Sequence, residues 1–297
     1  MMIFTHALRL GVVRFPRGSL LRNACIGVIK ATQGKCRLPP RLAEVRPLDR
    51  PALSFEATDS MVMDAIYWFG VQGYEGRMAD VWESLCSQAR NVVEVGANVG
   101  LFTVLGGKAT SGSYLALEPV PGVADILRRN LARNGLSDKV EVYQSAAIPD
   151  ATQSTVALNI PNEGRDSPVG SHLVVGSEVT GRSSLQVIHV AGLPFRQLVR
   201  NANLIKVDAE GLEAQLFESA RSEIAGNTPT IVAEVLPEST RLASLLRELA
   251  ITHGYTINII PAYGTNRIDV VEPQRFDSKT PLMSNSKDVV LSRLRLT

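Results

Sequence analysis

Val92-Val93-Glu94-Val95-Gly96-Ala97-Asn98-Val99-Gly100 is the stretch on which the reading of this chain turns. A run of β-branched residues passes straight into a turn of small ones, and a helical pattern follows over Val99–Lys108. A short apolar run bounded by turn residues reads as a buried strand. Glycine permits a tight turn and lets a ligand approach the backbone. The free amides at the start of the following helix add hydrogen-bond donors. In an open parallel sheet, ligands sit beyond the carboxyl ends of the strands, where the strand order reverses. The same turn would also suit a close-packed strand–helix junction. It is not the G-x-G-x-x-G of dinucleotide sites, because Asn98 stands where the second glycine would let a pyrophosphate approach.

Downstream the chain alternates. Strands are predicted at Ser113–Glu118 and Lys139–Tyr143, with a helix at Pro121–Asn134 between them. A proline sits in that helix's first turn, and Asn134-Gly135 marks its end. Extended runs follow at Thr155–Ile160 and Leu185–Val190. The stretch from Pro161 to Ser184 is rich in Gly, Ser, Pro and Asn, a loop length usually tied to function. Alternation resumes with strand Leu204–Asp208, helix Leu212–Ser222, strand Thr230–Val235, helix Ser239–His253, and strands Thr256–Ile260 and Asp288–Ser292. Short strands alternating with helices give an α/β fold: a parallel sheet with helices on both faces.

Upstream, residues 58–90 form an amphipathic helical lead-in. Met61, Ala65, Ile66 and Phe69, then Met78, Val81, Trp82 and Leu85, recur at helical spacing. Residues 1–57 are expected to be a basic, poorly structured arm or small cap. The first 43 carry eight Lys and Arg and no Asp or Glu. Such an arm suits a solvated extension, a membrane-surface contact or organelle targeting. The main domain is assigned to 91–297.

The bulk numbers agree with a soluble domain. A hydrophobic fraction of 45% supports a real core, and a net charge of +2 argues against binding nucleic acid through phosphate contacts. No run approaches the roughly 20 apolar residues of a transmembrane helix. Cys25, Cys36 and Cys86 match no zinc or disulfide pattern, so a reducing, cytoplasmic setting is expected.

Several residues are candidates for a site. Gly96, Ala97, Asn98 and Gly100 form the turn, and the missing glycine favours a ligand without a pyrophosphate, such as S-adenosylmethionine. Glu94 could accept hydrogen bonds from an amine-bearing ligand. Glu118, in Leu117-Glu118-Pro119, lies where Rossmann-type folds hold ribose hydroxyls. Ala146 and Ala147 follow the third strand and leave room for an adenine ring, or for tight packing. In Ile205-Lys206-Val207-Asp208-Ala209-Glu210, alternation would put Lys206, Asp208 and Glu210 on one face. Glu213 suits the first turn of the next helix. Glu234 ends an apolar strand, where a carboxylate needs a partner. His172 is a further possible base in the polar loop.

Together these residues resemble the FkbM family of methyltransferases. Glu94-Val-Gly-Ala-Asn-Val-Gly100, Leu117-Glu-Pro-Val-Pro121, Asn130-Leu-Ala-Arg-Asn134, Ile205-Lys-Val-Asp-Ala-Glu-Gly-Leu-Glu213 and Ile231-Val-Ala-Glu234 carry the resemblance over about 92–235. Family members usually have Asp at the Glu94 position. Residues 1–57 lie outside the likeness. The resemblance implies a class I methyltransferase fold, a seven-stranded, mostly parallel, Rossmann-like sheet whose last strand is antiparallel. It implies S-adenosylmethionine as donor and commonly a hydroxyl acceptor on a sugar or secondary metabolite.

Methyl transfer to oxygen requires a hydroxyl to lose its proton beside the methyl group. Asp208 is the expected base or acceptor-orienting group, with Glu210 and Glu234 in support and His172 as an alternative. The same carboxylates could take magnesium, though the reaction requires no metal. An N-methyltransferase acting on a protein or small amine is the second reading. The chain lacks the Asn-Pro-Pro-Tyr and Asp-Pro-Pro-Tyr tetrapeptides of such enzymes. A catalytically silent cofactor-binding or scaffold protein is the third. An NAD-dependent oxidoreductase is disfavoured by Asn98 and by the lack of a Tyr-x-x-x-Lys dyad.

Overall fold

The computed structural model describes residues 2–16, 19–33, 36–149, 152, 154–161, 166, 172–173, 185–262 and 267–296. It opens with two helices, α1 (Met2–Arg14) and α2 (Leu20–Gln33), packed against each other. The expectation of a poorly structured arm is thus corrected. Val12 and Ile29 are fully buried in a small cluster with Cys36 and Trp68. The guanidinium of Arg9 lies 3.6 Å from the centroid of the Tyr67 ring, and its Nε donates to the Tyr67 carbonyl at 2.7 Å. A cation over an aromatic face can sit in an apolar setting, so the arginines that break the apolar run need not break the packing.

Next comes a short antiparallel pair, β1 (Glu44–Val45) and β2 (Phe55–Glu56). Val45 and Phe55 are fully buried in the same cluster as Trp82 and Leu127, so residue 57 does not bound the main core. The lead-in supplies α3 (Met61–Phe69) and α4 (Met78–Gln88). In α4, Trp82 donates its indole N–H to the Phe102 carbonyl at 2.9 Å.

The remaining elements are β3 (Asn91–Val95), α5 (Leu101–Ala109), β4 (Ser113–Leu117), α6 (Pro121–Arg133), β5 (Val140–Tyr143), β6 (Ser145–Ile148), β7 (Thr155–Pro161), β8 (His172–Leu173) and β9 (Leu185–Pro194). Then follow α7 (Phe195–Leu198), β10 (Leu204–Val207), α8 (Glu213–Ser219), α9 (Arg221–Asn227), β11 (Thr230–Glu234), α10 (Thr240–His253), β12 (Thr256–Ile260), β13 (Asp269–Val271), α11 (Thr280–Met283) and β14 (Asp288–Ser292). The predicted helix Leu212–Ser222 is two helices, α8 and α9.

The main sheet runs β13-β12-β14-β11-β10-β3-β4-β5. Pairings from β11 through β5 are parallel, and β14 is antiparallel to both β11 and β12. The expected seven strands with an antiparallel last one are therefore present. An eighth, β13, adds an antiparallel edge. The order moves outward from β3 to β4 and β5 on one side, and through β10 to β11 on the other. The reversal between β3 and β10 is the place where open sheets hold ligands. A second small sheet runs β6-β9-β7-β8.

Alternation along the strands divides the core into two layers. Val92, Leu204 and Val290 face the layer of Trp82 and Tyr114, whereas Val93, Ile205 and Leu291 face the layer of Phe195, Phe217 and Leu246.

The Asn130 and Asn134 pair, one helical turn apart on α6, ties the earlier chain to this core. Asn130 accepts from Glu56 N at 2.7 Å and donates to Val99 O at 2.7 Å. Asn134 accepts from Ser54 N at 3.2 Å and donates to Ser54 O at 2.7 Å. Replacing Asn130 by alanine strands one donor and one acceptor. Urea denaturation should show a loss of about 2–4 kcal/mol with little change in slope. A loss below about 0.5 kcal/mol would mean that water replaces the amide.

Candidate active site

The turn after β3 holds three left-handed residues, Gly96 (φ 80°), Asn98 (φ 51°) and Gly100 (φ 91°). A Cβ on Gly96 would lie 2.0 Å from the Asp208 carbonyl oxygen, and one on Gly100 2.5 Å from Leu127 Cδ1. Asparagine tolerates the left-handed region better than most residues. Gly96 N and Ala97 N both donate to Leu117 O at 3.0 and 2.9 Å, and Asp208 N donates to Val95 O at 3.1 Å. The turn is thus clamped between the ends of β4 and β10.

Glu118 closes the next strand and faces this turn. Its Oε2 accepts from Asn98 N and its Oε1 from Val120 N, both at 2.9 Å. Only 6% of the residue is exposed. Burial pushes its carboxyl up to about 7, against the pull of those two backbone bonds. Each oxygen keeps a further lone pair for a hydroxyl donor.

Beside the turn lies a partly open cavity, with about 300 Å³ of space when the solvent at its mouth is included. Gly96, Ala97, Asn98 and Val99 form one wall, Phe102 of α5 another, and Lys206 and Asp208 the end of β10. Tyr74 and Glu75 close it from the lead-in. Lys206 is buried, with Nζ 3.4 Å from Asp208 Oδ2 and 4.9 Å from the Phe102 ring centroid. Burial alone would lower its basicity, but the charges of Asp208, Glu75, Glu94 and Asp288 outweigh it and keep Lys206 an ammonium. One strand further, Lys287 Nζ reaches Glu234 at 2.8 Å and Glu75 at 3.5 Å. Asp288 pairs in register with Glu234 across β14 and β11. Burial and the charge of Glu75 hold the Asp288 carboxyl well above its ordinary range. Two lysines and several carboxylates are therefore interleaved along one edge of the sheet. Among the described residues, no group of three or more His, Cys, Asp or Glu is placed to hold a metal ion.

The family model of the methyltransferase FkbM domain matches residues 94–256, more than half of the chain. The chain belongs to the FkbM methyltransferase family. The matched model describes a methyltransferase domain, and S-adenosylmethionine is the donor that the family resemblance implies. The chain spans only about three fifths of the length of the first relative it matches. Methyltransferase sdnD of Sordaria araneosa is 27% identical over 158 residues, which are 44% of this chain and 61% of that protein. The crystal structure of methyltransferase FkbM from Methylobacillus flagellatus KT shares 15% identity at a TM-score of 0.43. That alignment covers 77% of this chain and 54% of that one. An O-methyltransferase from Bacillus cereus in complex with SAH shares 16% identity at a TM-score of 0.37, over 72% of this chain and 79% of that one.

The residues present fit the donor. The clamped turn and Glu118 offer backbone and carboxylate to a sugar edge. The adjoining cavity presents both signs of charge, which suits a sulfonium that carries an amino-acid tail. Not every residue of the FkbM pattern lies there. Glu94, expected to meet an amine-bearing ligand, instead takes hydrogen bonds from Thr103 Oγ1 at 2.8 Å and the Tyr114 hydroxyl at 2.6 Å, beneath α5. Burial pushes its carboxyl up, while Lys206 and these two bonds pull it down. Ala146 and Ala147 lie buried in β6, Ala146 against Leu158 and Val190 and Ala147 in the layer of Phe195. They line no part of this cavity, and their placement matches the packing alternative. Pro119 is half-buried beside Glu118.

Glu210 leaves the alternation that was to set it beside Asp208. β10 ends at Val207, and Glu210 sits exposed in a turn at φ 48°. That turn is held by Glu213, which accepts from Ala209 N at 2.8 Å and Gly211 N at 3.0 Å. His172 pairs through its backbone with Asn159, and its side chain lies outside the described residues.

Glu75 was missed by the sequence reading. It is buried at φ 51°, and the next residue, Gly76, is pressed against Ala262: a Cβ there would lie 1.9 Å from the Ala262 oxygen. Burial pushes the Glu75 carboxyl up, against the pull of Lys206 and Lys287. The signal was Gly73-Tyr74-Glu75-Gly76, an acid between glycines in an apolar lead-in. Replacing Lys206 by methionine would leave Asp208 and Glu75 without their buried cation. Thermal or urea unfolding should show a loss of about 3–5 kcal/mol. A neutral outcome would mean that Lys287, which also contacts Glu75, and water take over the pairing.

Proposed function

We propose that this chain transfers the methyl group of S-adenosylmethionine to a hydroxyl of a sugar or other small molecule. The observation that carries this reading is Asp208. Its carboxylate is paired to a buried ammonium and lines a cavity beside the clamped glycine turn. The bound donor supplies an electrophilic methyl group on a positively charged sulfur, with a neutral thioether to leave. The chain's own task is to hold the sugar edge at Glu118, place the acceptor, and take its proton at Asp208. Lys206 fixes the orientation of Asp208 through their 3.4 Å ion pair. Glu75 brings a second carboxylate to the acceptor side. Glu234 acts at one remove, holding the Lys287 that also contacts Glu75.

An amine acceptor is the second reading, favoured by the excess of carboxylates over lysines along this edge. The buried charge of Lys206 weighs against an ammonium at the same place, and a hydroxyl meets no such repulsion. Incubation with methyl-labelled donor and a cell extract, followed by identification of the product, tests both. Label on oxygen supports the first reading, and label on nitrogen replaces it with the second.

Two outcomes are expected from defined variants. Asp208→Asn should lower turnover of the labelled acceptor at least ~100-fold, while calorimetric affinity for S-adenosylhomocysteine stays within about threefold. Unchanged turnover would remove Asp208 from the proton transfer. The second outcome concerns pH. Only the ionised Glu118 accepts two hydroxyl donors, and burial raises its carboxyl to about 7. Affinity for S-adenosylhomocysteine should therefore rise between pH 6 and pH 8 by up to about tenfold per unit below the midpoint, and Glu118→Gln should flatten the curve. In the free protein the same raised value has the opposite consequence. Its stabilising contribution is complete below the ordinary carboxylate range and is lost as pH rises through about 7.

A further inference from the structure

Helix α2 is apolar on two sides. Ile29 is fully buried, and Cys25 and Ile26 pack against the same cluster as Val12 and Trp68. On the opposite side, Leu20, Leu21, Ala24, Val28 and Ala31 are all exposed, with Leu20 at 87%, Leu21 at 60% and Val28 at 37%. At 3.6 residues per turn these five positions fall within roughly 100° of arc, a continuous outward stripe. An ordinary surface helix is polar there.

The segment that carries the stripe is cationic. Residues 1–43 hold eight Lys and Arg and no acid. Of these, Arg14, Lys30, Arg37 and Arg41 are exposed; Arg37 is paired with Asp59, and Lys30 lies on α2 itself, about 80° round the helix from the edge of the stripe. Arg9 is turned inward onto Tyr67 and contributes nothing outside. The helix has 14 residues, against the roughly 20 needed to cross a bilayer. No helix among the described residues is long and apolar enough to do so. A second copy of the chain on this face would bring one cationic segment against another. An anionic lipid surface instead offers an apolar layer at the depth of the leucines and phosphates at the level of the lysine and arginines.

We propose that α2 docks this protein on anionic membranes, lying in the headgroup layer with Leu20 and Leu21 entering the acyl boundary. The inference stands apart from the methyl-transfer reading and uses none of its residues. The test is co-sedimentation of the full chain with two kinds of vesicle, one of phosphatidylcholine alone and one containing a third phosphatidylserine. Binding should be at least ~10-fold tighter to the anionic vesicles and should weaken with added salt. The double variant Leu20→Glu/Leu21→Glu should lose at least ~10-fold of that binding while its circular dichroism and melting temperature stay those of the parent. Both residues are exposed, so the variant is expected to fold. Failure to bind, equal binding to both vesicles, or unchanged binding by the double variant would overturn the proposal. So would light scattering that shows a dimer for the parent and a monomer for the variant, since a second copy would then cover the stripe.

Discussion

A single buried ammonium, that of Lys206, makes the rest of this sheet edge tenable. Glu75, Glu94, Asp208 and Asp288 come from four separate segments, and all act on that one charge. A carboxylate taken out of water is costly unless an opposite charge or several donors meet it. Without Lys206, a chain with this many acids at the carboxyl ends of its strands would have to protonate them or splay them into solvent. With it, acids of different origin share one low-dielectric place beside the glycine turn. The Phe102 ring under the ammonium adds a weaker attraction of the same sign.

The parallel sheet was readable in advance because its strands carry little but apolar, β-branched residues and its turns carry the glycines. The strand from Asn91 to Val95 and the turn after it stand where the periodicity put them, and so do β4, β5, β11, β12 and β14. Ser145–Ile148 was not recognised as a strand, since two alanines between a serine and a single isoleucine have little β signature. It is a strand because β9 runs beside it and Ala146 fits against Leu158 and Val190. Asp269–Val271 is too short to show a period. The helices at the start were hidden by arginines in the apolar run, one of which the structure places over an aromatic ring.

The site was legible where backbone geometry leaves a mark on composition. Gly96 must be glycine because Asp208 passes so close, and such a constraint shows in the sequence. Asn98 shows how a departure can be accommodated: it takes the left-handed conformation the missing glycine would have had. Charge partnerships left no comparable mark. Lys206 and Asp208 are two residues apart and could be guessed, but Glu75 reaches them from 131 residues earlier in the chain (206 − 75). Glu210 was misplaced for the reverse reason. Alternation was carried past the end of a strand that stops at Val207.

The asparagine clamp on α6 has a consequence for how the chain is made. Ser54 and Asn134 are 80 residues apart in sequence. At about 5–20 residues per second, a ribosome needs roughly 4–16 seconds to supply the second after the first. Through that interval Val45 and Phe55, both fully buried at the end, have α3, which contacts β1, but not yet α6, which contacts β2. The early segment therefore waits, only partly covered, for a later one. Its further protection during synthesis must come from outside the domain, and a slower ribosome prolongs the need for it.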